Sequence, residues 1–397
     1  MKAESQAPEH PFPRLLGSYG GEAPGPLVIG IGGMHGNEPA GVLALQQALQ
    51  ALRTANVPFR GTLVGLAGNR AALARVCRYI DEDFNRAWSQ ERVRRLRSRD
   101  PSADTTSEER EQRELLACLD AHIAERRGPV VCLDLHTTSA AGTPFVVIGD
   151  TLLNRRFAFR LRAPVVLGLE ERLESTILNY LGEQGHVAVG FEGGQNDSPS
   201  AVAIHMAAIR AVLATAGCIR TQDLRLPDDG REGAGADTDD VPPVVEVRYH
   251  HVIREGDGFV MEPGYSNFQP VERGQLLARD RRGPIRAGEA GQILMPLYQG
   301  QGTDGFFLVR RVRPFWLRVA RWLRRLRIER VLPALPGVRR SPDKPGTLVV
   351  NPRIARWFVL ELFHLLGFRR RQSREGKLIV SRRWHESRAV DELRGRP

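Results

Sequence analysis

The sequence predicts an α/β protein: a doubly wound, mostly parallel mixed sheet with helices on both faces, followed by a small β domain and a basic helical C-terminal extension. Three observations lead to this prediction. Short apolar runs alternate with helical patterns over residues 1–225, which is typical of a parallel sheet covered by helices. Residues 243–312 contain strand-like runs separated by Gly, Asp and Pro, which indicates β structure. Residues 313–397 carry 22 Lys and Arg against 7 Asp and Glu, whereas the rest carries 35 against 39.

The first two predicted strands enclose a helix. The run PLVIGIGG, residues 26–33, is short and apolar and ends in glycines, as buried strands do. Residues 38–53 are rich in Ala, Leu and Gln and place Pro39 in the first turn, which favours a helix. The run GTLVGLAGN, residues 61–69, is the second strand, and another helix is predicted from about Ser107.

Three more strands and a helix complete the predicted sheet. The strands cover residues 129–136, 144–149 and 186–192, and the helix covers residues 200–217 with a glycine at its end. Ligands of parallel sheets bind beyond the carboxyl ends of the strands. The polar residues expected on this rim are His35, Glu38, Asn69, His136 and Glu192.

Composition also suggests the domain boundaries. The acidic stretch 226–242 is rich in Gly, Asp and Pro and predicts a linker or exposed loop. It separates the α/β domain, residues 1–225, from the β domain, residues 243–312, and the extension, residues 313–397. The N-terminal region shows no apolar segment typical of a secretory signal, and no run of 18 apolar residues occurs. A cytoplasmic chain without a transmembrane helix is therefore expected.

His35 and Glu38 form an HxxE pattern directly after a predicted strand, and this suggests a metal site. A catalytic zinc takes three protein ligands and keeps one position open. His136, at the end of another strand, is the natural third ligand, with Asp134 near enough to orient its imidazole. The alternative is structural: Glu38 would cap a helix N-terminus, and His136 would be an ordinary strand-end histidine.

Two further motifs bear side chains that could act beside such a metal site. RYIDEDFNR, residues 78–86, supplies forked cations suited to carboxylates, although a surface loop with ordinary salt bridges is the alternative. GFEGGQ places Glu192 after an apolar strand, where a carboxylate could take a proton from zinc-bound water. The alternative for Glu192 is a charged strand end without a special role.

Together, GGMHGNEPAG, GNRAAL, RYIDEDFNR, LDLHTT and GFEGG resemble the aspartoacylase/succinylglutamate desuccinylase family, a branch of the zinc carboxypeptidase fold. The resemblance covers roughly residues 25–220 and continues into the β region. It implies that residues 1–225 are a zinc-hydrolase domain with one Zn²⁺ per chain. The implied reaction is hydrolysis of the amide bond of a small N-acylated amino acid or related carboxylate.

The resemblance also implies a role for each matching residue. His35, Glu38 and His136 match the zinc ligands, and Glu192 matches the general base. The remaining matches lie in one motif. Arg78 matches the arginine that stabilises the oxyanion, Asn85 and Arg86 match the pair that binds a substrate carboxylate, and Asp83 matches an aspartate with an orienting role.

One departure from the family pattern concerns specificity. Aspartoacylase proper uses a further arginine some ten residues before the general base, but residues 178–186 contain no Arg or Lys. N-acetyl-aspartate is therefore not favoured as the substrate. Tyr298, in the β domain, is a candidate to reach the site and bind substrate.

The extension has its own pattern. Residues 313–330 combine a helical apolar repeat with many arginines, which predicts a basic amphipathic helix, and residues 355–368 predict a second, more apolar helix. One interpretation is packing on the body or on another subunit of a homo-oligomer. The other is an anionic membrane surface, which would place the chain at the inner face of the membrane. Nucleic acid is not favoured, since no nucleic-acid motif occurs.

The leading hypothesis for function is a zinc-dependent amidohydrolase acting on linear amides, in which Glu192 and Arg78 act on the scissile bond. A zinc carboxypeptidase or amidase of short peptides is the alternative among enzymes, because the same fold and carboxylate grip serve both. A non-catalytic binding protein that retains the fold is the alternative of a different class, and the intact metal and base motifs argue against it.

Overall fold

The structure is a computed structural model. It describes residues 11–21, 23–220, 244–325, 332, 337–340, 347–351, 368–374 and 377–382. The strands of the first 220 residues are β1 (Leu15–Gly20), β2 (Leu27–Gly32), β3 (Thr62–Ala67), β4 (Val130–Thr138), β5 (Phe145–Ile148), β6 (Val165–Leu167) and β7 (Val187–Gln195).

The helices of the same region follow the strands closely. They are α1 (Ala40–Thr54), α2 (Arg70–Arg75), α3 (Gln90–Ser98), α4 (Ser107–Ala124), α5 (Leu152–Ala158), α6 (Leu169–Arg172), α7 (Ile177–Glu183) and α8 (Ala201–Ala216). Two short 3₁₀ helices cover Phe84–Arg86 and Pro101–Ala103. The predicted strands and helices of this region are present, with ends shifted by up to three residues. The structure adds β1, β6, α2, α3, α5, α6 and α7, which were not predicted from the sequence.

The principal sheet has eleven strands in the order β1-β3-β2-β4-β7-β5-β6-β8-β14-β13-β10, in which β8 is Val244–Val252, β14 is Asp304–Arg311, β13 is Gly291–Leu294 and β10 is Pro270–Val271. The central strands β3, β2, β4 and β7 are parallel neighbours. β1 is antiparallel to β3, and β5 is antiparallel to β7. The architecture is therefore a mixed α/β sheet.

Helices cover both faces of this sheet, and the alternation along β2 shows why. Val28 belongs to an apolar cluster formed with α1, α5 and α8. Ile29, the next residue, belongs to a second cluster formed with α3, α4 and α7. Successive side chains of a strand point to opposite faces, so a fully apolar strand is what a sheet covered on both sides requires.

The C-terminal half of the sheet continues from β6. Its strands are β8 (Val244–Val252), β10 (Pro270–Val271), β13 (Gly291–Leu294) and β14 (Asp304–Arg311). β6 pairs with β8 in parallel, and β8 pairs with β14 antiparallel. A separate three-stranded sheet consists of β9 (Val260–Met261), β11 (Leu276–Asp280) and β12 (Gly283–Arg286). Residues 243–312 are thus rich in strands as expected, but part of them extends the principal sheet. The predicted linker, residues 226–242, lies outside the described residues.

The described part of the extension contains a helix and strands. α9 covers Pro314–Arg325. The strands β15 (Val338–Arg340), β16 (Thr347–Val350), β17 (Phe368–Arg374) and β18 (Lys377–Arg382) form a four-stranded sheet that the sequence analysis did not anticipate. The predicted helix over residues 355–368 falls almost entirely outside the described residues. No helix in the described ranges is long and apolar enough to cross a membrane.

Candidate active site

Three strands of the principal sheet deliver the predicted site residues to one edge. β2 ends at Gly32, and His35 and Glu38 follow in the turn before α1. His136 lies on β4 and Glu192 on β7, and the two residues are register partners. The turn packs tightly: a Cβ at Gly36 would lie 2.0 Å from the backbone carbon of Ala72. Glycine is therefore required at this close approach.

The two histidines and Glu38 form one buried cluster. Glu38 Oε1 lies 2.9 Å from His35 Nδ1, and Glu38 Oε2 lies 2.9 Å from His136 Nδ1. One ligand atom of each residue lies within 4.8 Å of the others. Two imidazole nitrogens and a carboxylate oxygen are the His₂Glu donor set of catalytic zinc sites. The donor chemistry and its convergence fit a zinc ion.

Aspartates hold the outer side of each imidazole. His35 Nε2 lies 3.2 Å from Asp83 Oδ1, and His136 Nε2 lies 2.9 Å from Asp134 Oδ2. A proton on each Nε2, donated to its aspartate, would leave the Nδ1 lone pairs free to bind a metal ion, whereas without an ion the Nδ1–H groups can donate to Glu38. The pairing of Asp134 with His136 agrees with the sequence analysis.

Glu38 does not cap α1. The helix has no side-chain cap, and both carboxylate oxygens of Glu38 face the imidazoles. Burial alone would raise the pKa of Glu38, but the charge of His35 and hydrogen bonds from His136 and His35 lower it well below its usual range. Glu38 is therefore a carboxylate at neutral pH, as a metal ligand must be.

Glu192 lies beside this cluster in a different state. Its side chain is buried, and Oε2 has no hydrogen-bond partner among the described residues. Burial, together with the charges of Glu38 and Asp134, raises the pKa of Glu192 to about 8, and His136 and Arg78 offset only part of this shift. A desolvated carboxyl group with a raised pKa is suited to accept and return a proton.

Arg78 connects the cluster to the motif of residues 78–86. Its Nη1 lies 3.5 Å from Glu38 Oε1, and its Nη2 lies 3.2 Å from Asp83 Oδ2. Asn85 accepts a hydrogen bond from the backbone N–H of Ile177 and places its amide nitrogen 3.2 Å from His136 Nε2. Arg78 and Asn85 thus lie next to the His35–Glu38–His136 cluster and are not part of an ordinary surface loop.

A cavity of about 80 Å³ opens over these groups. Its wall includes all the predicted metal ligands, catalytic residues and substrate-binding residues except Tyr298. The predicted rim residue Asn69 also lies elsewhere. It caps α2 by accepting a hydrogen bond from Ala72 N–H and donates to Glu108.

Comparisons with known proteins agree with this geometry. Residues 24–211 match the model of the succinylglutamate desuccinylase/aspartoacylase catalytic domain. Residues 24–211 belong to this family. The match supports a hydrolase of the desuccinylase/aspartoacylase type. No curated protein matches the chain.

Solved structures of desuccinylase/aspartoacylase proteins share the fold. A succinylglutamate desuccinylase/aspartoacylase from Rhodobacter sphaeroides is 22% identical with a TM-score of 0.54, and the match covers 74% of this chain and 88% of that one. A succinylglutamate desuccinylase from Vibrio cholerae is 17% identical with a TM-score of 0.54, covering 74% and 83%. The product-bound ectoine utilization protein from Ruegeria pomeroyi is 21% identical with a TM-score of 0.50, covering 73% and 85%.

The second half of this desuccinylase/aspartoacylase-like chain also contributes to the cavity. Asp304, at the start of β14, places Oδ2 2.6 Å from Arg86 Nη2 and Oδ1 2.8 Å from His250 Nε2. His250 stacks on Phe307 with ring centroids 4.4 Å apart. The sequence analysis did not find Asp304 or His250. The only signal was an aspartate directly before the apolar run GFFLV.

The structure does not bring Tyr298 to the site. Its hydroxyl donates a hydrogen bond to the Glu262 carbonyl and accepts one from Tyr265 N–H. These backbone partners hold the ring away from the cavity, and its neighbours Leu297 and Gln299 line the wall instead. The geometry therefore gives no support to substrate binding by Tyr298.

Asp304→Asn is expected to lower the free energy of unfolding by about 1–3 kcal/mol at pH 7. Burial would raise the pKa of Asp304, but the hydrogen bond from His250 and the charge of Arg86 outweigh it and lower that pKa to about 2. A lowered pKa contributes stability above the ordinary value near 4, and the contribution is lost as pH falls toward 2. Urea unfolding at pH 7 and pH 3 should therefore show a smaller difference between wild type and variant at pH 3. The control Asp197→Asn, at an exposed position, should change the free energy of unfolding at neither pH. If Asp304→Asn lowered the free energy of unfolding equally at pH 7 and pH 3, the assigned ion pair would be wrong.

Proposed function

We propose that the chain is a zinc-dependent hydrolase that cleaves the amide bond of a small N-acylated amino acid or related carboxylate. The observation that carries the proposal is the juxtaposition of the buried His35, Glu38 and His136 donors with Glu192, whose Oε2 has no hydrogen-bond partner among the described residues. A donor set with an adjacent base is the arrangement of hydrolytic metal sites. A binding protein that merely retained the fold would have no use for this carboxylate.

His35, Glu38 and His136 would hold the metal. When bound there, zinc would act as a Lewis acid toward a carbonyl oxygen and lower the pKa of water. Glu192 accepts the proton of the attacking water and later donates it to the leaving nitrogen, which a carboxyl group with a raised pKa can do in both directions. Its Oε2 has no hydrogen-bond partner among the described residues, so a water molecule would meet no competitor at that atom.

Arg78 donates N–H groups toward the oxygen that becomes negative in the transition state. Asp83 and Glu38 fix its guanidinium in place before substrate arrives, and such preorganisation is a large part of electrostatic catalysis. Arg86 takes the substrate carboxylate. A guanidinium has five N–H donors, and the contacts of Arg86 with Asp304 and the Asn85 carbonyl use two of them.

The experiment that tests this function is a substrate panel. The zinc-loaded protein is offered N-acyl amino acids that differ in acyl group and side chain, and a matched set of dipeptides and tripeptides. Release of the free amine from N-acyl amino acids is expected. Faster cleavage of peptides would indicate the carboxypeptidase alternative, and cleavage of neither class would refute the proposed function.

We also propose that α9 binds an anionic membrane surface, which would make the cytoplasmic chain peripheral. Leu317 and Ala320 face inward, toward the apolar core. Phe315 and Trp322 are each 62% exposed, and Trp316 is 45% exposed. Residues 310–325 contain seven arginines and no acidic residue. Exposed aromatic rings flanked by arginine on an amphipathic helix suit an anionic headgroup layer.

Vesicle co-sedimentation of the full chain tests this surface. We expect binding to phosphatidylglycerol vesicles but not to phosphatidylcholine vesicles, and loss of at least tenfold in affinity in a Phe315→Ser/Trp322→Ser double variant. Val260→Ser, at another exposed apolar position (64% exposed), is the matched control. Equal binding by the double variant would overturn the proposal. So would a dimer of the wild type that the double variant cannot form, since a second copy would then cover the helix.

A further inference from the structure

The floor of the cavity beside Glu192 is apolar. Gly190 lies two residues before Glu192 on β7 and pairs with Val147 of β5. Leu178 of α7 fills the space above Gly190, because a Cβ there would lie 2.8 Å from Leu178 Cδ1. Leu178 and Val147 both line the cavity. The absence of a side chain at position 190 thus lets an apolar side chain from α7 reach the cavity next to the base.

The same floor continues away from the base. Leu169 and Val147 belong to one buried apolar cluster, and Leu173 and Met295 pack against it. All four side chains line the cavity. Consider a substrate with its scissile carbonyl between Glu192 and Arg78 and its carboxylate on Arg86. The rest of that substrate would contact these apolar side chains.

The charges around the cavity disfavour a second substrate carboxylate. Arg78 and Arg86 are the cationic side chains that line it within the described residues, and both already contact carboxylates of the protein. The carboxyl groups of the lining are those of Glu38, Asp134, Glu170, Glu192 and Asp304. The two positive charges of a bound zinc ion would be balanced by the carboxylates of Glu38 and Glu192. A second carboxylate of the substrate would then face carboxylates or hydrocarbon, and no cation would compensate for its desolvation.

We infer that the substrate carries a single carboxylate and that the group against Leu178 and Val147 is small, uncharged and apolar. This inference rests on the proposed function and names its substrate class. Leu178 is the specificity-determining residue, since it packs over Gly190, which lies two residues before Glu192 on the same face of β7. The enzyme is thereby set apart from hydrolases of dicarboxylic N-acyl amino acids such as N-acetyl-aspartate.

The test compares kcat/KM for N-acetyl-leucine and N-acetyl-valine with that for N-acetyl-aspartate and N-succinyl-glutamate. A preference of about 100-fold for the apolar pair is expected of the wild type, as for groups matched or mismatched to a hydrophobic pocket. Leu178→Arg would place a cation on the floor and should lower the preference at least tenfold. Leu178→Met conserves the volume and should keep the preference.

The outcomes separate this inference from the proposed function. If the wild type hydrolyses dicarboxylic and apolar substrates equally well, the specificity inference is wrong while the proposed function stands. If it hydrolyses no N-acyl amino acid, the proposed function fails. Should Leu178→Arg not fold, as judged by circular dichroism, the wild-type ratio and a milder Leu178→Gln variant decide. Leu178→Gln is expected to lower kcat/KM for N-acetyl-leucine and N-acetyl-valine only. An unchanged ratio of kcat/KM between apolar and dicarboxylic substrates in this variant would contradict the role assigned to Leu178.

Discussion

Replacement of Glu192 by Gln is expected to lower kcat for amide hydrolysis by about 10²- to 10⁴-fold, the usual contribution of a general base. Glutamine has the same shape but cannot accept the proton of the attacking water. Because Oε2 makes no hydrogen bond within the described residues, the substitution removes no structural contact at that atom. Zinc content and the urea midpoint should therefore match those of the wild type. The measurement is kcat on the best substrate of the panel, with metal analysis of the same samples.

The pH profile gives a second measure of the same residue. The base must be ionised, so activity is present above its pKa and lost as pH falls below it. The pKa of Glu192 is about 8 without a cation, and a bound cation would lower it, which places the acid limb below about pH 8. The residual activity of Glu192→Gln should lack this limb. The control is Glu174→Gln, the same change at an exposed position in the loop between α6 and α7. Equal activity of wild type and Glu192→Gln would refute the assigned role.

Glu38→Gln is expected to abolish zinc binding together with activity. Glu38 contacts both imidazoles, and its negative charge is the only one within the His35–Glu38–His136 cluster. Loss of an outer partner of a ligand typically costs 10- to 100-fold in metal affinity, and loss of a ligand should cost more than about 100-fold. Competition with a chromogenic chelator measures the affinity directly.

The control for this change keeps the same chemistry elsewhere on the chain. Glu114 lies on α4 with half of its side chain exposed, where it pairs with Arg70. Glu114→Gln should bind zinc as the wild type does. If Glu38→Gln bound zinc with unchanged affinity, Glu38 would be a structural carboxylate and a different donor set would be needed.

The core of the fold could be predicted because its signals are local. β2, β4 and β7 are short apolar runs that end in polar residues, and α8 ends at Gly217 with positive φ. Parallel strands place their carboxyl ends on one edge, so the convergence of His35, His136 and Glu192 followed from topology alone. The motifs around these residues indicated which of them are metal ligands and which is the general base.

Other features depend on contacts that no local pattern shows. Asp304 reaches Arg86 across 218 positions of sequence, and only the pairing of β6 with β8 and of β8 with β14 brings it there. The four-stranded sheet of the extension contains charged strands such as β17, whose sequence FRRRQSR has little β character. The sequence placed Tyr298 near the cavity wall, where its neighbours Leu297 and Gln299 do lie. It could not show that the hydroxyl of Tyr298 is held by the backbone of residues 262 and 265.

A zinc titration of the chelator-treated protein, followed by amide hydrolysis and by metal analysis at each point, decides whether the bound ion supports the reaction. We expect activity to rise in proportion to bound zinc and to reach its plateau at one ion per chain, and we expect Glu38→Gln to show neither binding nor activity. Full activity of the zinc-free protein, or saturation with zinc without hydrolysis of any amide in the panel, would contradict the proposed function.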